Sequence, residues 1–301
     1  MKFKIIKTLF FFAILPILGY AQNNEKSLLY LNQKPPGLQP EVFAPNIISK
    51  PSESEFGSVF SKDGKEFFYG VDINGKSEIR YTRLEKDSWT APKVIVSDSK
   101  YGFNDPFLSP DEYRLYYISD MPLNGKGNGK DHDIWYSEKK PYGWSKPINA
   151  GANINSDRDE YYMSFTDNGT MYFSSNSNSE NNNFDIYASK KVNSKFQKPE
   201  KLSDGINTKS YEADVFVAPD ESYVIFCARR KEGLGRGDLY ISFKNEDGSW
   251  TKSKNMGAPI NTKGHELCPF VTKDGKYFLY TSNQDIYWVE ASIINQYREK
   301  H

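Results

Sequence analysis

Apolar residues in this chain gather in short runs, rich in aromatics, that alternate with clusters of Asp, Asn, Gly and Pro. Five of these runs read EFFYG, LYYIS, MYFSS, VIFCA and YFLYT. Each follows a tight turn, written SKDG, SPDE, TDNG, APDE and TKDG, whose turn residues are Asp63, Asp111, Asn168, Asp220 and Asp274. The steps between these residues are 48, 57, 52 and 54. Runs of five to seven aromatic and β-branched residues between turn signals predict strands. Eight residues before each turn stand Glu55, Phe103, Glu160, Glu212 and Glu266, opening an earlier strand. After the aromatic strand and a variable loop, a third strand opens with an acid and an apolar residue, at Glu78, Asp133, Asp185, Asp238 and Asp285. Most copies then close on an aromatic followed three residues later by Pro or Ser, as in Trp89 with Pro92 and Trp250 with Ser253.

Four short strands per unit at a period near fifty residues is the pattern of a propeller blade. One four-stranded sheet cannot cover both of its apolar faces, so each blade needs neighbours, and a closed ring leaves no bare end face. The expected fold is therefore all-β, a five-bladed β-propeller. Its blades fall at about 53–97, 101–150, 156–206, 209–260 and 263–290, within a propeller spanning 51–290. The fifth copy lacks an outer strand. Residues 22–50 form an arm in which Phe43, Pro45 and Ile47 resemble the closing strand of other copies, so this arm is expected to complete the last blade. In the tail, 291–301, Ile293, Ile294 and Tyr297 stand at helical spacing and predict a short helix on the rim.

Residues 1–21 carry Lys2, Lys4 and Lys7 ahead of an apolar run ending in Gly19-Tyr20-Ala21, the pattern of an export signal peptide. The run is short for a bilayer span, and no second apolar segment long enough to cross follows, so no membrane span is expected after its removal. The protein is thus expected to be exported, periplasmic or secreted. Charge adds little: 39 basic residues balance 39 acidic ones. With no basic excess, nucleic acid is not an expected partner. Cys227 and Cys268 are expected as buried free thiols, since Cys packs as a small apolar residue and a closed ring needs no staple. A monomer is expected.

The copies LSPDEYRLYYIS, FTDNGTMYFSSN with FDIYAS, and VTKDGKYFLYTSNQDIYW resemble the TolB-type, WD-like propeller repeats of exported bacterial proteins, over about residues 53 to 288. The resemblance implies binding and scaffolding in the periplasm or at the surface, with a minority of related propellers acting on glycans. A fold of this kind hosts unrelated activities, so function must be argued from the site.

Glu55, Glu160, Glu212 and Glu266 should lie at similar heights around the axis. Converging carboxylates there suit glycoside cleavage, which needs two of them about 5 to 10 Å apart. A repeated structural role is the other reading, favoured by the recurrence itself, because an acid and a base need unlike surroundings. Departures from the repeat point more directly to function. The second copy has Asn104 and Asp105 after Phe103, the third has Arg158 and Asp159 before its Glu, the fourth adds Asp214 and the fifth His265. Together they are expected to form a polar cup of mixed sign at one end of the channel. Such a cup suits a glycan or protein ligand, with stacking from Tyr101, Phe103 or Tyr161; ordinary strand-end polar groups around a wet channel are the alternative.

The three histidines lack ligand spacing, and His132 in a Gly/Lys/Asp loop is expected to be solvated. No metal or cofactor is expected. GLGRGD, residues 233 to 238, lies between strands rather than before a helix and is not a phosphate cradle; Arg229, Arg230 and Arg236 beside it either clamp an acidic ligand group or stay solvated. The function expected is a non-catalytic binding or scaffolding module for envelope proteins or glycans. The alternative is a hydrolase or lyase acting on glycans with axial carboxylates.

Overall fold

The computed structural model describes residues 28–176 and 183–298. The expected signal peptide, residues 1–21, lies outside them.

Each turn is built by its Asp or Asn. The Asp63 carboxylate accepts from Ser61 Oγ at 2.7 Å and from the Lys65 N–H at 3.1 Å. Thr166 with Asn168 and Thr272 with Asp274 repeat this at 2.7 Å each. A short polar side chain that bonds its own backbone two residues on fixes the turn, which is why the repeat keeps Asp or Asn there. The next position is left-handed throughout, and is Gly64, Gly169 and Gly275 in three copies but Glu112 and Glu221 in the others, with φ of 57° and 62°.

These turns join the strands into five sheets. The first blade comprises Ser54–Phe60, Glu66–Ile73, Lys76–Glu85 and Lys93–Val96, paired antiparallel in that order. The second runs Phe103–Leu108, Arg114–Ser119, Asp133–Lys140 and Ile148–Asn149; the third Glu160–Phe165, Met171–Ser175, Asp185–Ser189 and Glu200–Lys201. The fourth has Tyr211–Val217, Tyr223–Arg229, Asp238–Phe243 and Lys254–Asn255; the fifth has Glu266–Val271, Tyr277–Ser282 and Asp285–Glu290. The first strands of neighbouring blades touch all the way round, the fifth meeting the first, so these are the inner strands and the ring is closed. Phe107, for example, meets Phe165 of the next blade and Phe270 across the ring at 6.1 and 5.9 Å between centroids.

The fourth strand of the fifth blade comes from the arm. Glu41–Val42 pairs antiparallel with Trp288 and Tyr287 of the last strand. The pairing lies nearer the N-terminus than Phe43, Pro45 and Ile47. Pro45 has no N–H to give, and Ala44 and Asn46 turn the chain with φ of 45° and 66°, which leaves Ile47 exposed. Phe43 is fully buried between Phe60, Phe67 and Trp288, with centroids at 5.7, 5.2 and 5.1 Å. It therefore locks the last blade to the first. The C-terminal segment Ala291–Tyr297 is a 3-10 turn rather than an α-helix; it buries Ile293 and Ile294, and the Tyr297 hydroxyl donates to the Met256 carbonyl at 2.5 Å.

One repeated device is invisible in the hydrophobic pattern. Asn155, Asn207 and Asn261 each exchange two hydrogen bonds with the third strand of the blade before, at Ile134, Ile186 and Leu239. Their buried amides satisfy an N–H that the short outer strands leave open, and they add a second donor to a carbonyl that already accepts from Ala150, Leu202 or Met256.

Candidate ligand site at the mouth of the axis

Every inner strand carries a bulge two residues after its opening position. The bulged residues are Gly57, Asp105, Tyr162, Asp214 and Cys268, all left-handed, with φ of 51°, 53°, 33°, 52° and 51°. A bulge re-aims one side chain out of the alternation of its strand. Here all five turn toward one another. The Cys268 thiol donates to Asp105 Oδ1 at 3.4 Å, and the Tyr162 hydroxyl to the Pro269 carbonyl at 2.8 Å, both bonds spanning non-adjacent blades. Only glycine fits at position 57, because a β-carbon there would stand 2.8 Å from Asp105 Cα. The axis is plugged at this level.

Asp105 and Asp214 are the two acids of the plug. Dehydration raises both carboxyls, and the negative charge of Asp214 raises Asp105 further; the nearby Arg229 and the Cys268 N–H hold Asp214 back. Asp214 keeps some exposed surface while dense packing around it strips most of its water. Both carboxyls are thereby held above the usual carboxylate range, and because they feel each other they titrate as a pair.

The glutamates one level up are committed to their own blades. Glu160 accepts from the Ser156 N–H at 3.0 Å, from Ser156 Oγ at 2.7 Å and from Ser175 Oγ at 2.8 Å. Glu266 does the same with Thr262 N–H, Thr262 Oγ1 and Ser282 Oγ at 3.1, 2.7 and 2.8 Å. Glu212 has Thr208 N–H and Oγ1 at 3.0 and 2.7 Å, with Arg230 Nε at 3.1 Å in third place. Each one staples the loop that leads into its blade to the first strand. Glu55 is different. It accepts from the Lys50 N–H at 3.1 Å, but its Oε2 is buried without a hydrogen-bond partner among the described residues. Burial pushes Glu55 and Glu160 each up to about 7.

The departures from the repeat separate into three places rather than one cup. Asp105 and Asp214 sit on the axis, with Asn104 partly buried beside Asp105. Asp159 lies between the second and third blades, where it accepts from the His132 N–H at 3.0 Å and stands 3.2 Å from His132 Nδ1. His132 is therefore not a solvated loop residue: its ring packs on Tyr161 at 5.1 Å, and the Tyr161 hydroxyl lies 3.1 Å from Nδ1. Arg158 is exposed. Of the aromatics, Tyr101 and Phe103 are buried, and Tyr161 stacks on Phe184 at 4.9 Å.

The third place is a pit of about 450 Å³ at the channel mouth between the fourth, fifth and first blades. Glu55, His265, Arg236 and Lys263 line it, with Phe56 and Leu267 as its apolar wall. His265 is held neutral, pushed down to about 4 by burial and by the Arg236 and Arg229 charges. Its Nε2 lies 3.6 Å from the Cys227 thiol. Both cysteines are free and buried. The Cys227 pairing was not legible in the sequence, because it needs the register that brings Gly237 beside His265. Lys263, two residues before His265, also carried no signal of its own. Among the described residues no group of three or more His, Cys, Asp or Glu side chains converges as a metal ion would require.

No known family profile matches the sequence, and no curated protein matches it. Solved structures do match. TolB from Acinetobacter baumannii superposes with a TM-score of 0.51 at 13% identity over 78% of this chain. The chain shares the TolB propeller fold. It spans about half of TolB, 54% of that chain. A thermostable family-43 glycoside hydrolase matches at 14% identity and a TM-score of 0.53, over 80% of this chain and 91% of the hydrolase. An α-L-arabinofuranosidase from Lactobacillus brevis matches at 14% identity and a TM-score of 0.53, over 79% and 86% of the two chains. Identities this low speak for the fold and not for the activity.

Proposed function

We propose that this propeller is an exported, non-catalytic binding module that holds a glycan or an envelope protein at the channel mouth. What supports it is the commitment of the recurrent glutamates: Glu160, Glu212 and Glu266 each accept three hydrogen bonds from their own blade. Three donors tie each carboxylate to the loop and strands of its own blade and turn it away from a ligand at the mouth. TolB, which shares the fold, is consistent with a binding role, and the leader-like residues 1–21 support export.

A second reading rests on one observation. Asp105 and Asp214 are adjacent acids in unlike surroundings, the arrangement from which an acid and a base are made. A glycan hydrolase would draw on this pair, and two glycosidases share the fold. Incubation with cell-wall and plant polysaccharide fragments separates the readings. Fragments retained without new reducing ends are the expected result. New reducing ends that disappear in Asp105→Asn or Asp214→Asn would replace the binding module with a hydrolase.

A further inference from the structure

The three arginines beside residues 233 to 238 have different fates. Arg229 lies over Tyr211 at 4.4 Å, and Arg230 is buried against Glu212 and over Tyr240 at 4.4 Å. Arg236 is left at the rim of the mouth pit. It is exposed, as is Lys263 on the adjoining loop, and neither side chain makes a hydrogen bond or ion pair with the described residues.

The loops that present these two cations are packed backbone on backbone. A β-carbon on Gly235 would lie 2.4 Å from the Gly264 carbonyl oxygen, and one on Gly264 would lie 2.6 Å from Asn283 Oδ1. The Arg236 N–H donates to the Gly264 carbonyl at 2.7 Å, the Glu266 N–H to Gly237 at 2.9 Å and the Glu55 N–H to Gln284 at 2.9 Å. A pit with walls this close is formed before any ligand arrives, so binding need not order them. Its floor is Glu55, fully buried, with the unpartnered Oε2. Apart from Glu55, the lining has one acid, Asp72, whose Oδ1 accepts from the Gly75 N–H at 2.9 Å.

We propose that this pit binds the carboxylate of an acidic sugar residue. Arg236 and Lys263 take the carboxylate, and one face of the sugar lies on Phe56 and Leu267. The assignment rests on the binding-module reading and names its ligand. An unpaired guanidinium beside an ammonium is the standing recognition element for a carboxylate. An apolar wall beside neutral amide groups suits a pyranose, which has an apolar face and a polar rim. A peptide bound in extended form needs a free strand edge. At the pit the Glu55 and Glu266 amides are already paired, with the Gln284 and Gly237 carbonyls.

Isothermal titration at low ionic strength with di- and trigalacturonate, their methyl esters and neutral galactose oligomers tests this. The acid should bind at least tenfold more tightly than the ester. The double variant Arg236→Ala, Lys263→Ala should remove that difference without lowering the melting temperature, because both side chains are exposed. Equal binding of acid and ester overturns the proposal, as does an undiminished preference in the double variant, tighter binding of an acidic peptide, or no uronate binding at all. Neutral galactose oligomers held by the wild type as tightly as the uronates overturn the carboxylate assignment but leave the binding module standing. New reducing ends overturn the module itself.

Discussion

Glu212 and Glu266 form a matched pair that isolates one interaction. Both are fully buried, and both accept from the N–H and hydroxyl of a threonine four residues earlier at nearly the same distances. They differ in the third donor. For Glu266 it is the Ser282 hydroxyl at 2.8 Å; for Glu212 it is Arg230 Nε at 3.1 Å. Replacing Glu266 with Gln places an NH₂ where an oxygen stood. The hydroxyls of Thr262 and Ser282 can rotate and accept from it, so the cost is that of weaker, neutral bonds, about 1 kcal/mol. Replacing Glu212 with Gln places the NH₂ against a guanidinium that cannot accept. It also strands the Arg230 charge, whose side chain is 7% exposed, and removal of one partner from a buried ion pair costs about 3–5 kcal/mol. Arg230 keeps Ser253 Oγ and the Ile206 carbonyl as acceptors at 2.8 and 2.7 Å, which puts the expected loss near 3 kcal/mol, at the lower end of that range. Urea unfolding of both variants at pH 7.5 measures the two losses directly. The double variant Glu212→Gln, Arg230→Met should be more stable than the sum of its single changes implies, since the stranded charge is gone. A Glu266→Gln loss equal to or larger than that of Glu212→Gln would refute the reasoning.

Two further changes test the closure and the buried acids. Phe43→Ala empties a fully buried site between the first and last blades and should cost about 3–5 kcal/mol in urea unfolding, whereas Ile47→Ala, at an exposed position of the same arm, should change stability by less than about 0.5 kcal/mol. Glu55 and Glu160 are raised from 4.5 to about 7, so between these values the folded chain holds protons that the unfolded chain has released. Their contribution is therefore complete below about pH 4.5 and lost as pH rises through about 7. At about 1.4 kcal/mol per unit it reaches at most about 3 kcal/mol for each group. Asp105 and Asp214, also raised, act in the same direction. Unfolding free energies of the wild type and of Glu55→Gln between pH 5 and 8 check this: the wild type should lose stability with rising pH, the variant should lose less, and equal slopes would contradict the account of Glu55.

The ring itself was determined by local sequence. Five copies of a turn whose Asp or Asn bonds its own backbone, each followed by an aromatic strand, specify five sheets, and the apolar faces of those sheets can be covered only by one another. The missing outer strand of the fifth copy likewise implied that the arm would supply it, and only the register moved, because Pro45 and its neighbours cannot extend a strand. What lies on the axis was decided by the tertiary structure. Asp105 and Asp214 stand 109 residues apart in the chain, and only bulges at equivalent positions of two inner strands turn them toward each other. The glutamates looked like a converging set because they recur at one height, but their side chains are drawn back into the blades by serine and threonine hydroxyls four residues earlier. The mouth pit depends on three loops from two blades meeting the first blade, at glycines where no β-carbon fits. Hydrogen bonds and strand periodicity act over a few residues and are written in the local sequence. The company a side chain keeps across the ring depends on closure, bulges and register, and those become definite only when all five blades are packed.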